Sequence, residues 1–256
     1  MLFKVINRND LARYLDDYLD CGVFNDYAPN GIQVEGTASI HRICTAVTAS
    51  QAVISQAVTM RADALLVHHG YFWRGEDPTI TGMKRRRVGQ LIEHNINLFA
   101  YHLPLDCHPV VGNNACIGKL LGVDSIEMHP AGKTANLLWS GRLTKPLSRQ
   151  EVSQLINKKL NREPLYVGMV DKPIQRIAWC SGAAQDFIED AHRLGADAYL
   201  SGEISERTYY QAQELGLHYF ACGHHASERY GIQALGSHLS EQFALDHDFI
   251  DSNNPV

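Results

Sequence analysis

The chain has 256 residues, of which 45% are hydrophobic, 20% charged and 9% aromatic, and this composition excludes collagen, a coiled coil and a largely disordered chain. The 23 Lys and Arg against 28 Asp and Glu give a net charge of -5, which disfavours a dedicated nucleic-acid binder. No apolar run approaches the roughly 18 residues of a membrane span, and the N-terminal stretch is charged where a signal peptide would be apolar. We therefore expect a cytoplasmic protein without a membrane partner.

Two stretches of the chain resemble each other, which indicates an internal duplication. Residues 42–69 align without gaps with residues 176–203 at ten identical positions, among them Ala62-Asp63-Ala64 with Ala196-Asp197-Ala198. The first copy then carries thirteen extra residues, 70–82, which we predict to form a loop. Such a duplication predicts two lobes of the same architecture.

Each copy alternates β-rich runs with amphipathic helical runs, which is typical of βαβ units with parallel strands. Taking strands and helices in turn, we predict elements at 42–48, 51–60, 64–68, 83–94 and 97–102, and again at 176–181, 185–194, 198–201, 204–215 and 217–222. We expect an α/β fold of two pseudo-symmetric lobes, 1–126 and 173–256, with layered sheets flanked by helices and packed as one compact unit. Residues 127–172 match neither copy and are predicted to be a connecting excursion that holds one helix over 148–160.

Histidines and carboxylates follow four of the predicted strands. Because ligands of open α/β sheets bind at the carboxyl ends of the strands, these side chains are candidates for one site. Imidazoles with carboxylates suit a first-row divalent metal. The five candidate ligands are His68, His69, Asp106, His224 and Glu228. A catalytic zinc usually has three protein ligands, so five are more than one ion requires. Two ions that share a carboxylate would use all five and still have coordination positions open for water and substrate, as metal-dependent hydrolysis needs.

Local sequence sets further expectations at these positions. His224 and Glu228 are four residues apart at a predicted helix start, so both can project from one face. On a regular strand the side chains of His68 and His69 point to opposite faces of the sheet. Both can bind the same metal centre only if the backbone turns at the strand end, and Gly70 permits such a turn. Pro104 favours an irregular loop around Asp106. The run Lys84–Arg87 is either the solvated start of a helix or an attractor of phosphate groups.

Several segments together resemble the NIF-three-like family, whose bacterial members are often named GTP cyclohydrolase I type 2 homologues. The segments that carry the resemblance are Asp26–Gly36, Val67–Trp73, His102–Asp106, Ala196–Glu203 and Gly223–Glu228. Residues 127–172 are too few to hold the domain that is inserted in longer relatives, so the chain resembles the short bacterial members of the family. The resemblance implies a two-lobed fold, a toroidal homohexamer and a dinuclear metal centre on the same five ligands, with Glu228 bridging the ions.

The resemblance also implies a reaction, in which the guanine imidazole ring of GTP opens and formate is released. We expect a hydrolase with two divalent ions per chain, Fe, Mn or Zn, and a small-molecule substrate that is GTP or another nucleotide, such as a damaged one. His102 and Glu203 are candidates for proton transfer. The alternative is a metal-binding toroidal scaffold or partner-binding protein without catalysis.

Overall fold

The computed structural model describes residues 5–256, which form mixed α/β structure in two compact units. Unit 1 comprises the chain up to Gly112 together with Gly231–Asn253, and unit 2 comprises Asn113–Tyr230 with Asn254–Val256. These units differ from the predicted lobes, because residues 113–126 belong to unit 2 and most of the C-terminal segment belongs to unit 1. Among the described residues, no helix is both long and apolar enough to cross a membrane.

The two units are built from the following elements. The helices are α1 (Arg8–Tyr18), α2 (Gln51–Thr59), α3 (Gly82–Glu93), α4 (Leu103–Cys107), α5 (Asn113–Leu121), α6 (Arg149–Leu160), α7 (Ile188–Arg193), α8 (Glu206–Glu214) and α9 (His224–Phe243). The strands are β1 (Ile6–Asn7), β2 (Gly31–Val34), β3 (Ser39–Ile40), β4 (Arg42–Thr48), β5 (Ala64–His69), β6 (Asn97–Ala100), β7 (Val123–Ala131), β8 (Thr134–Leu147), β9 (Leu165–Val167), β10 (Ile174–Cys180), β11 (Ala198–Ser201), β12 (His218–Ala221) and β13 (Asp246–Phe249).

Unit 1 is a five-stranded sheet covered by helices on both faces, with strand order β13-β4-β5-β6-β2. The first four of these strands are parallel and β2 is antiparallel to β6. Helix α1 and the later turns of α9 bury Leu11, Leu15 and Leu239 in one hydrophobic cluster, while α2 and α3 bury Ile54 and Leu91 in a second. Each fully buried leucine contributes about 1.5–3 kcal/mol, so both layers stabilise the sheet.

Unit 2 is a six-stranded mixed sheet with the order β7-β8-β10-β11-β12-β9. Strands β10, β11 and β12 are parallel. Strands β8 and β9 pair antiparallel with β10 and β12, and β7 pairs antiparallel with β8. Helices α5 and α6 pack Ile117, Ile156 and Leu160 against Trp179 and Phe220. Residues 127–172, predicted as an excursion, supply most of β7 and all of β8, β9 and α6, so this segment is part of the sheet of unit 2.

The duplication is visible in the two sheets. The first copy folds as β4-α2-β5-α3-β6 and the second as β10-α7-β11-α8-β12, with the three strands of each copy parallel and adjacent in chain order. The predicted strands and helices agree with the observed ones to within two residues, except that residues 185–187 form a 3-10 turn before α7. The predicted loop after His69 is a loop, and the predicted helix of residues 148–160 is α6, with Ser148 as its N-cap.

One local expectation is wrong. Asp106 lies in the short helix α4 and not in an irregular loop. Pro104 is tolerated because it occupies the first turn, where a backbone N–H has no partner within the helix.

Candidate metal centre

Four of the predicted site residues come together in unit 1. His68 and His69 end β5, His102 directly precedes α4, and Asp106 lies within α4. His68 Nε2 lies 3.5 Å from Asp106 Oδ1, and both side chains are buried. The ring centroids of His68 and His69 are 4.6 Å apart, and that of His102 is 5.0 Å from His68. Three imidazoles beside a buried carboxylate are a donor set that fits a first-row divalent cation.

The two adjacent histidines are oriented by oxygen atoms at the end of β4 and directly after β6. His68 Nδ1 lies 2.9 Å from the carbonyl oxygen of Tyr101. Since a carbonyl only accepts, Nδ1 carries the hydrogen and Nε2 the lone pair. His69 Nδ1 lies 3.1 Å from Thr48 Oγ1. An oxygen at the second ring nitrogen is the arrangement commonly found around metal-ligating histidines.

Gly70, which we predicted to permit a turn, is also needed for packing. A Cβ at this position would overlap the side-chain oxygen of Gln33 and approach Ala100 Cβ to 2.7 Å. That oxygen of Gln33 accepts a 2.7 Å hydrogen bond from the N–H of Tyr71. Gly70 is therefore required for close packing against Gln33 and Ala100.

Asp26 is a site residue that sequence reasoning did not identify. Its Oδ1 accepts a 2.7 Å hydrogen bond from Nδ1 of His102. Burial alone would raise the pKa of this carboxyl group, but hydrogen bonds from His102 and Asn30 lower it below its ordinary value. The only signal in the sequence was that Asp26 opens one of the segments that carry the family resemblance.

The remaining predicted site residues come together in unit 2. His224 is the first residue of α9, and its Nε2 lies 3.1 Å from Glu228 Oε2, one helical turn later. Its Nδ1 donates a 2.6 Å hydrogen bond to Glu203, which follows β11. Although burial disfavours the imidazolium, the carboxylates of Glu228 and Glu203 raise the pKa of His224 to about 9. The two carboxylates thus favour positive charge at His224.

Gly182 is a second residue that sequence reasoning did not identify. It follows β10 with a φ of +67°, and a Cβ there would overlap Glu228 Oε1 and lie 3.2 Å from His224 Nε2. In the alignment of the two copies, Gly182 corresponds to Thr48, which contacts His69. The alignment of the two copies could therefore have identified Gly182, because the equivalent residue of each copy lies next to a candidate ligand.

Two basic residues have intramolecular partners: Arg74, and Lys84 of the run predicted as a possible attractor of phosphate groups. Arg74 donates hydrogen bonds to Asn25 Oδ1 at 3.0 Å and to the carbonyl of Asp26 at 2.9 Å. Lys84 forms a 2.9 Å ion pair with Glu76. Arg85 and Arg86 are exposed at the start of α3, which favours the solvated helix start over a phosphate site.

The comparisons with known proteins agree with this architecture. The chain is 51% identical over 247 residues to the GTP cyclohydrolase 1 type 2 homolog of Allochromatium vinosum, covering 96% of each chain. A solved structure described as protein ybgI, of unknown function, has 46% identity and a TM-score of 0.94, with 98% of this chain and 100% of that one covered. The structure of TTHA1606 from Thermus thermophilus has 30% identity and a TM-score of 0.89 over the same shares. The family model described as Duf34/NIF3 (NGG1p interacting factor 3) matches residues 6–255, so the chain belongs to this family.

Proposed function

We propose that the protein is a metal-dependent hydrolase of nucleotides, with two divalent ions per chain. The proposed ligands are His68, His69 and Asp106 of unit 1 and His224 and Glu228 of unit 2. The observation that supports the proposal best is the buried pair His68 and Asp106, 3.5 Å apart, with further imidazoles beside it. When bound, such ions polarise a carbonyl or phosphoryl oxygen and make water a stronger acid.

The protein's own groups support this role by holding the donors in place. The carbonyl of Tyr101 and the carboxylate of Glu203 accept the Nδ1 hydrogens of His68 and His224. Each acceptor fixes the orientation of its imidazole ring, which reduces the cost of ordering the ligand.

Glu203 and His102 are the proposed proton-transfer groups. The side chain of Glu203 is 36% exposed, so it can exchange a proton with water while it holds His224. His102 is paired with Asp26, as a histidine is in many acid–base sites. We propose that either Glu203 or His102 protonates the leaving group.

The substrate class rests on the relatives, which are named GTP cyclohydrolase 1 type 2 homolog. For GTP, the proposed reaction is opening of the guanine imidazole ring by two water molecules with release of C8 as formate. The opened compound then closes onto carbons of the ribose with loss of one water, which gives a dihydroneopterin triphosphate. A damaged nucleotide is an equally suitable substrate for this donor set. We further propose a homohexameric toroid, as the family resemblance implies.

A substrate screen tests the function. Protein reconstituted with Mn²⁺, Fe²⁺ or Zn²⁺ is incubated with nucleotides and pterin precursors, and formate and nucleotide products are quantified. Glu228→Gln is expected to abolish turnover while leaving the fold intact. Glu241→Gln, an exposed position of the same helix, is the matched control and is expected to retain full activity. No turnover of any compound by the metal-loaded protein would contradict the proposal.

A further inference from the structure

Two aromatic side chains lie beside His102 in unit 1. The ring centroid of Trp73 is 5.0 Å from that of His102, with the two ring planes at 85°, and it is 6.0 Å from the ring centroid of His69. The ring centroid of Tyr27 is 6.3 Å from that of His102, with the planes at 67°. Trp73 and Tyr27 therefore adjoin an imidazole to which the proposed function gives a proton-transfer role.

Both aromatic side chains are accessible to a small molecule. Tyr27 is 60% exposed and Trp73 is half-buried. The other two tryptophans, Trp139 and Trp179, are buried in the core of unit 2. An aromatic ring that stays in water forgoes the stabilisation that burial gives. Two such rings beside a proposed proton-transfer group therefore point to a ligand that covers them.

Hydrogen bonds within its own loop hold Trp73 in this position. The indole N–H donates to the carbonyl of Gly70 at 3.3 Å, and the backbone N–H of Trp73 donates to Glu76 Oε2 at 3.0 Å. Glu76 forms a 2.9 Å ion pair with Lys84, whose ammonium group lies 5.6 Å from the ring centroid of Phe72. Because its polar ring atom is bonded within the loop, Trp73 offers a ligand its apolar π-surface.

The backbone directly before this tryptophan is strained. Phe72 has a φ of +65°, which bulky side chains rarely adopt and which is found most often at ligand-binding and catalytic sites. The chain is anchored on both sides of it. The N–H of Tyr71 donates to Gln33 Oε1 at 2.7 Å, and the N–H of Arg74 donates to the carbonyl of Tyr27 at 2.7 Å. The second bond joins the loop after β5 to the segment that carries Tyr27.

We propose that Trp73 and Tyr27 bind the planar base of a nucleotide by stacking, next to His102. Stacking requires only a π-surface, which every base has. The ring of Trp73 is fixed before the ligand binds, which lowers the ordering cost of binding. The inference rests on the proposed function and identifies the residues that recognise the base of its substrate. A sugar phosphate without a base lacks the surface on which these two side chains act.

Two ligands that differ by the base test the inference. GMP and ribose 5-phosphate are each titrated into the protein in a calorimeter, and tryptophan fluorescence is recorded in parallel. We expect GMP alone to quench the fluorescence, because Trp73 is accessible and the other two tryptophans are buried. Trp73→Leu should weaken GMP binding at least about fivefold and leave ribose 5-phosphate binding unchanged. Trp73→Phe, which keeps an aromatic ring, should bind GMP nearly as tightly as wild type does.

A variant of the more exposed residue guards against loss of structure at position 73. Tyr27→Leu should weaken GMP binding with the same selectivity, and Tyr210→Leu, at an exposed tyrosine of α8, is the matched control and should match wild type. Unchanged GMP affinity in both Trp73→Leu and Tyr27→Leu, or an equal loss for GMP and ribose 5-phosphate in both, would overturn the inference. Failure of the proposed function differs from this result, because GMP would bind through Trp73 while the metal-loaded protein left every nucleotide unchanged.

Discussion

Asp63 and Asp197 make the same hydrogen bonds at equivalent positions of the two copies. Asp63 Oδ2 accepts the backbone N–H of Arg42 at 2.9 Å and that of the residue before it at 2.8 Å. Asp197 Oδ2 accepts the N–H of Arg176 at 2.8 Å and that of the preceding residue at 3.0 Å. Each carboxylate thus joins the start of the second strand of its copy to the start of the first.

We therefore expect Asp63→Ala and Asp197→Ala to destabilise the protein by similar amounts. Each replacement leaves two N–H groups without their charged acceptor, which costs about 1–3 kcal/mol. Urea unfolding followed by circular dichroism gives the change in the free energy of unfolding. Asp171→Ala, at an exposed position, is the control and should cost less than about 0.5 kcal/mol. A loss confined to one copy would contradict the structural equivalence.

Gly182 should resist substitution for two separate reasons. Its φ of +67° strains any other residue by about 1–2 kcal/mol, and an added Cβ also overlaps the carboxylate of Glu228. Gly195 is a suitable comparison, because its φ is +71° and a Cβ there meets nothing within 4 Å. We expect Gly195→Ala to show the strain alone, and Gly182→Ala to lose more stability and also metal content. If Gly182→Ala and Gly195→Ala lost equal stability and the metal content were unchanged, a steric effect of residue 182 on Glu228 would be excluded.

His218 should make the stability of the protein depend on pH below neutrality. Its Nδ1 lies 2.9 Å from the hydroxyl of Tyr166 and its Nε2 lies 2.9 Å from the carbonyl of Lys172. Burial lowers the pKa of His218 below its ordinary value, so the unfolded chain takes up a proton at a pH where the folded chain does not. The free energy of unfolding therefore falls as pH decreases below about 6.5.

The variant His218→Gln checks this linkage. It removes one titrating group, so its free energy of unfolding should decrease less steeply than that of wild type between pH 7 and pH 5. The difference in slope can reach at most about 1.4 kcal/mol per pH unit. Parallel slopes of the two proteins in urea titrations would show that His218 does not contribute.

The cysteine thiols should be unreactive in the native protein. Burial raises the pKa of Cys44 and Cys116 to about 11. Burial, helped by Asp16 and Asp20, raises the pKa of Cys21 to about 12. Because the thiolate is the reactive form, labelling by a disulfide reagent at pH 8 should be slow until denaturant is added. Fast native labelling of Cys21, identified by mass spectrometry, would contradict this expectation.

The sequence alone determined the repeated α/β pattern and the candidate ligands. Hydrophobic periodicity is a local property, so β5, α2 and the start of α9 were predictable from their own residues. The alignment of the two copies then directed attention to the strand ends, where His68, His69 and Glu203 lie. Local pattern failed at Asp106, because the effect of Pro104 depends on its position within a helix turn.

Only the tertiary structure decided which atoms orient those ligands. Asp26 and His102 are 76 residues apart in the chain, and Thr48 reaches His69 across two paired strands. A hydrogen bond requires atoms placed to within a few tenths of an ångström, and that placement results from the packing of whole strands and helices. Residue type and spacing thus identify candidate donors, whereas long-range packing determines their partners and hence their chemistry.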